Sequence, residues 1–181
     1  PYRIETLVTL RKGARWVEFE TKINNNVPNH YLQAAFPTDV DAEFVYAQGQ
    51  FDVVKRPIAK PDYSKYDEIP MTEQPMNSFV DICNENEGAA ILNTGLKAYE
   101  SDDDYNHTVY LSLLRCFELR IYVTPEEQNY SRIENGSQSF GEHTFRYAFM
   151  PHKGDWEDAQ VWKAAEDFNM EILIGQTAPT E

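Results

Sequence analysis

A mostly β chain, an antiparallel β-sandwich with long loops and one late helix, is the fold this sequence predicts. Three observations lead there. The chain is rich in rings, with 11 Tyr, 10 Phe and 3 Trp, and aromatic side chains suit half-buried pleated surfaces. Apolar and polar residues alternate with period two in several short runs bounded by Gly, Pro, Asn or Asp. Only one stretch, near the end, places apolar residues at helical spacing.

The clearest strand covers residues 15–23, where Val17, Phe19, Thr21 and Ile23 alternate with Glu18, Glu20 and Lys22. Residues 4–10 pair with it across Arg11-Lys12-Gly13-Ala14. Residues 24–29 form a turn, because Asn tolerates the left-handed region and Pro28 breaks a ladder. A third strand over 31–36 stops at Pro37. Strands at 44–47 and 51–54 follow, divided by Gln48-Gly49-Gln50. Residues 56–77 hold Pro57, Pro61, Pro70 and Pro75 among polar residues and tyrosines, the composition of a long ordered loop. Strands resume at 78–82, 89–92, 108–114 and 144–150. Between them lie an acidic turn, Ser101-Asp102-Asp103-Asp104, and a polar loop over about 125–141. The helix has Asp155 as its cap, Glu157 and Asp158 in its first turn, and Val161, Ala165 and Phe168 on its apolar face. A short strand at 171–174 precedes a polar tail.

The 181 residues suffice for one sizeable domain or two small ones, and 41% hydrophobic residues suit a packed core. The formal net charge of −14 repels phosphate, which argues against nucleic acid and anionic membranes as partners. No apolar run reaches the roughly 18 residues needed to span a bilayer. Cys83 and Cys116 each sit in an apolar run, the setting of buried free thiols and not of a disulfide scaffold or a zinc site. The chain starts at Pro1 in the middle of a strand pattern, so a preceding segment is expected.

Catalytic motifs are absent from the sequence: no GxSxG, P-loop or dinucleotide fingerprint occurs. His30, His107, His143 and His152 lie far apart, with none at chelating spacing to another. His143 and Glu142, as strand neighbours, point to opposite faces. The run Asp102-Asp103-Asp104 with Asn106 lacks the spaced ligands and glycine of an EF-hand, and reads as a solvated turn. With 30 acidic residues a carboxylate pair is always available, so that signal is empty. By composition and spacing alone this is a mostly β domain of unknown purpose, with no metal site expected from its histidines.

Three stretches, in order, resemble the glycoside hydrolase family 38 α-mannosidases. The first is Tyr31-Leu32-Gln33-Ala34-Ala35-Phe36-Pro37-Thr38 followed by Phe51-Asp52-Val53-Val54-Lys55-Arg56-Pro57-Ile58. The second is Gln74-Pro75-Met76-Asn77-Ser78-Phe79-Val80-Asp81, then Gly88-Ala89-Ala90-Ile91-Leu92-Asn93-Thr94-Gly95-Leu96-Lys97-Ala98-Tyr99-Glu100 and Leu111-Ser112-Leu113-Leu114-Arg115. The third is Phe145-Arg146-Tyr147-Ala148-Phe149-Met150-Pro151-His152-Lys153-Gly154-Asp155-Trp156. The stretches run from Tyr31 to Trp156, and by order and spacing the resemblance covers about residues 10–165. The form of the second is similar to the bacterial branch that includes mannosylglycerate hydrolases, apart from Ala98, where that branch often carries an acidic residue.

The resemblance implies that residues 1–181 are the C-terminal β-sandwich region of an α-mannosidase, part of a galactose mutarotase-like supersandwich. It implies a retaining, zinc-dependent enzyme acting on terminal α-mannosides. Zinc and the nucleophile would reside in a catalytic barrel absent here, which is then the main partner; a homo-oligomer stays open. The fragment alone would be inactive, and the location cytoplasmic. The loop Asn93, Thr94, Gly95, Leu96 is the candidate substrate-binding element: Gly95 can take the positive φ of a tight turn, and Asn93 carries a short amide suited to a sugar hydroxyl. A plain hairpin turn is the other reading of that loop. Arg115 could serve a barrel interface or only this sandwich, while Tyr147 and His152 are expected to hold the sandwich together. The rival function is a stand-alone carbohydrate-binding sandwich, with Tyr63-Ser64-Lys65-Tyr66 as the place to look for stacking rings.

Overall fold

The alternating run near the N-terminus forms β2 (Val17–Asn25), antiparallel to β1 (Arg3–Thr9), with Ile4 opposite Ile23 and Val8 opposite Phe19. The computed structural model describes residues 2–60, 62–65, 67, 71–118, 135–170 and 175. Next come β3 (Tyr31–Phe36), β4 (Phe44–Gln48) and β5 (Val53–Pro57), then the two-residue β6 (Gln74–Pro75). They are followed by β7 (Phe79–Cys83), β8 (Glu87–Asn93), β9 (Ala98–Ser101) and β10 (Val109–Arg115). A one-turn helix α1 (Asn135–Gln138), the long β11 (Gly141–Lys153) and α2 (Val161–Asn169) complete the described elements.

Among the described residues all pairings are antiparallel. One sheet has seven strands in the order β1-β2-β11-β8-β7-β4-β5, and the other four in the order β3-β10-β9-β6. The core between them takes Ile23, Val45, Val80, Ile82 and Ile91 from the large sheet and Tyr99, Val109, Leu111 and Leu114 from the small one. A second core lies on the far side of the large sheet. There Phe79, Ala90, Leu92, Ala148 and Met150 meet Val161, Ala164, Ala165 and Phe168 of α2. The molecule is thus layered: small sheet, large sheet, helix. This explains why β7 is buried at every position; a strand covered on both faces loses the alternation that a half-exposed strand keeps. Burying a side chain such as Phe168 stabilises by about 1.5–3 kcal/mol.

Several expected boundaries move. Phe51 and Asp52 form the tip of the β4–β5 hairpin, and the strand runs on to Pro57, which an edge position tolerates. The expected loop over 56–77 contains the end of β5 and all of β6. Ser101, assigned to the acidic turn, closes β9. That strand went unforeseen because Tyr99 is its one buried residue. Its phenol accepts from Arg56 Nη1 at 3.1 Å, which stabilises the ring in the core. β11 is longer than the expected 144–150, since Pro151 to Lys153 continue the ladder with β8 and only Gly154, at φ 69°, turns the chain.

The helix begins later than Asp155 suggested. Asp155 Oδ1 accepts from the backbone N–H of Glu157 and Asp158 at 2.9 Å, capping a separate run of turns in which those two acids sit. Gln160 then takes a left-handed conformation with no side-chain cap, and α2 starts at Val161. The interruption lets the Trp156 ring settle beside Tyr46 and Phe79. The strand expected at 171–174, and most of the polar loop over 125–141, lie outside the described residues; the part of that loop that is described contains α1.

Candidate functional site

The loop after β8 does not close a hairpin. β8 belongs to the large sheet and β9 to the small one, so residues 94–97 carry the chain across the sandwich edge. Gly95 has φ 89°, which L side chains rarely adopt, although an added Cβ would meet nothing within 4 Å. Thr94 donates from its N–H and its Oγ1 to Arg146 O at 3.1 and 3.2 Å. Leu96 packs on the inter-sheet core, leaving Gly95 and Lys97 exposed. Asn93 is fully buried. Its Nδ2 donates to Asn77 O at 3.1 Å, and its Oδ1 has no hydrogen-bond partner among the described residues.

A ladder of side-chain amides binds this end together. Asn169, the last residue of α2, donates to Asn93 O at 3.0 Å; Asn93 donates to Asn77 O; Asn77 donates to Gly49 O at 2.6 Å. Gln48 Oε1 accepts from both the N–H and the hydroxyl of Ser78. Helix, crossing loop, the 76–78 segment and the β4–β5 tip are therefore one hydrogen-bonded unit, with backbone groups satisfied where no strand continues. Asn169 escaped the sequence reading, and Asn77 entered it only as a member of the second stretch, with no role assigned.

The outer face of the small sheet carries a second polar constellation. Glu73 Oε1 accepts from the hydroxyls of Tyr31 and Ser112, each at 2.6 Å, and Glu73 Oε2 accepts from Arg115 Nη1 at 2.9 Å. Gln33 Nε2 donates to Tyr31 Oη at 2.9 Å. Burial, then the hydrogen bond to Glu73, pushes the Tyr31 phenol up to about 12. Arg115 thus has a carboxylate partner within this fold. Glu73, in the stretch read as loop, carried no sequence signal.

Inside the large sheet, His152 Nε2 lies 2.8 Å from Asp81 Oδ1, with both side chains almost wholly buried. Burial alone would lower the imidazole's pKa, but the hydrogen bond to Asp81 and its charge raise it above the ordinary value. Cys83 and Cys116 are both free and buried, and burial pushes each thiol up. Tyr147 is buried, its hydroxyl 2.7 Å from that of Thr21. Tyr147 meets Phe36 of the small sheet across the sandwich, whereas the His152–Asp81 pair lies within the large sheet. The acidic turn is pinned through Asp104, which accepts from the N–H and hydroxyl of Thr108; these bonds hold its carboxyl below the usual range.

The remaining three histidines stand apart: His30 beside Tyr2 Oη at 3.1 Å, His107 in the acidic turn with its N–H donating to Asp104 O at 3.1 Å, and His143 Nε2 against Ser139 O at 2.7 Å. Among the described residues no group of three or more His, Cys, Asp or Glu could hold a metal ion. No helix among them is long and apolar enough to cross a membrane.

Comparison with known proteins gives a consistent result. The sequence profile of the glycosyl hydrolases family 38 C-terminal domain matches residues 1–118. A putative mannosylglycerate hydrolase of Halalkalibacterium halodurans is 29% identical over 178 residues, which are 96% of this chain and 18% of that protein. Alpha-mannosidase 2C1 of Homo sapiens is 28% identical over 171 residues, 94% of this chain and 14% of that protein. The crystal structure of an alpha-mannosidase from Enterococcus faecalis V583 superposes with a TM-score of 0.76 at 29% identity, covering 92% of this chain and 18% of the other. The chain thus spans less than a fifth of the length of each.

Proposed function

Because this chain belongs to the C-terminal domain family of the family 38 glycosyl hydrolases, we propose that it is the non-catalytic C-terminal part of a retaining, zinc-dependent α-mannosidase acting on terminal α-mannosides. One observation carries the reading: relatives named as glycosidases match this chain along nearly its whole length, while it fills only 18% and 14% of theirs. Residues 1–181 then act as one region that packs on a catalytic barrel of the same polypeptide. Zinc, when bound there, would grip sugar hydroxyls and stabilise developing charge; its ligands belong to that other region. The two unpaired thiols favour a reducing, cytoplasmic setting.

Within this reading the crossing loop at 94–97 is the element offered to the cleft. The amide ladder fixes it, and a fixed loop orients substrate without first losing conformational entropy. Asn93 then acts as a positioning residue, its amide engaged inside the fold, and Leu96 anchors the loop on the core, while Thr94 and Gly95 form the approaching edge. The test uses the longer polypeptide. Deleting the segment that corresponds to this chain abolishes hydrolysis of an aryl α-mannoside, and Asn93→Ala and Gly95→Ala alter kcat or KM in the intact enzyme. Unchanged kcat and KM in both variants assign the loop a purely structural role; full activity after the deletion defeats the larger reading.

A further inference from the structure

Phe51 is 100% exposed, at the tip of the β4–β5 hairpin. A phenyl ring wholly in water is an unsatisfied apolar surface, and the turn beneath it is rigidly made. Gly49 N–H donates to Asp52 O at 2.7 Å, and Asn77 Nδ2 holds Gly49 O. Across from the tip, at the start of α2, stands Trp162, 42% exposed. Both rings line one groove of about 620 Å³, together with Gln48, Gln50, Asp52, Trp156 and Glu157. The Trp156 ring is fixed by Tyr46 and Phe79, with centroids at 6.2 and 6.4 Å. Phe51 and Trp162 are the most exposed rings of this lining, and Trp156 is half-buried beside them.

We propose that this groove is a carbohydrate-binding subsite that takes a neutral pyranose ring between Phe51 and Trp162. A pyranose presents an apolar C–H face and a rim of hydroxyls, matching aromatic faces bordered by amides and carboxylates. Gln48 Oε1 is committed to Ser78, which leaves its Nε2 as a donor. The charge selects further. Asp52 and Glu157 contribute the charges of the described lining, no Lys, Arg or His joins them there, and the whole chain carries −14. Phosphorylated or uronic ligands are repelled, and an uncharged sugar is not. The proposal deepens the mannosidase reading only in its choice of probe.

The experiment titrates the 181-residue chain with methyl α-mannopyranoside and an α-linked mannobiose, by saturation-transfer NMR and calorimetry. Saturable binding in the millimolar range is expected, weakened roughly tenfold or more by Phe51→Ala and by Trp162→Ala. Trp162→Tyr, which keeps a ring, retains most of the affinity. Both alanine positions are solvent-exposed, so unchanged melting curves verify that the variants fold. Absence of saturable binding up to about 50 mM, equal binding by wild type and variants, or binding of choline in place of the mannosides overturns the proposal. Such a failure leaves the mannosidase reading standing, because that reading is scored by hydrolysis.

Discussion

Replacing His152 with alanine removes one member of the buried pair at the centre of the large sheet. Asp81 is wholly buried and His152 sits 2.8 Å from it, so the substitution strands a carboxylate in the interior. Breaking a buried pair this way costs about 3–5 kcal/mol, a large part of the roughly 5–15 kcal/mol that holds a domain folded. For a chain of this size each kcal/mol lowers Tm by about 2–4 °C, which gives a fall of about 6–20 °C. The pair also sets a pH dependence. With its folded-state pKa raised by Asp81, His152 contributes stability in full below its unfolded value of about 6.5. That contribution fades as pH rises through the folded value. Thermal unfolding followed by circular dichroism at successive pH values between about 5.5 and 8.5 reads both effects. Wild type should lose Tm upward through this window, and His152→Ala should lack that component. A variant melting within about 2 °C of wild type, or identical slopes in the two proteins, refutes the reasoning.

Gly88→Ala should destabilise by about 1–3 kcal/mol through overpacking, because the new Cβ would lie 2.6 Å from Cys83 Cβ and against the His152 ring; chemical denaturation measures it. Glu73→Gln should bring the Tyr31 titration down from about 12 toward the ordinary phenol value, visible as a difference between the phenolate absorbance titrations of the two proteins. Gly95→Ala should cost about 1–2 kcal/mol from backbone strain alone, since nothing lies near the added methyl; a loss several-fold larger would mean that the loop is packed more tightly than the structure indicates. Cys83 and Cys116, with burial raising both thiols, should resist a disulfide reagent in the native state and both react once the chain is unfolded.

Where local pattern and burial coincide, the sequence was legible. Tyr31–Phe36 ends against Pro37 as read, β2 alternates in burial from Thr21 onward, and Val161, Ala165 and Phe168 lie on the face of α2 that is buried. Legibility failed where tertiary context decides. β6 is two residues that pair only because β9 lies beside them, and β9 is fixed by the single core ring of Tyr99. Asp155 carries a helix-cap signature yet caps an isolated run of turns, because Gln160 breaks the path before α2. In the candidate site, the need for a left-handed Gly95 was readable and Gly95 has it. The sheet-crossing role of its loop and the amide ladder through Asn77 and Asn169 were not. They join residues 28 and 76 positions apart, and no local spacing encodes such contacts. The cluster on Glu73 and the rings beside Phe51 were hidden for the same reason.

The most direct measurement is hydrolysis of an aryl α-mannoside, with zinc present, by the 181-residue chain and by the longer polypeptide proposed to contain it. A domain that serves a catalytic barrel without supplying catalytic residues predicts turnover by the longer protein and none by the shorter. Turnover by the 181 residues alone would place the catalytic groups within this sandwich and contradict the account.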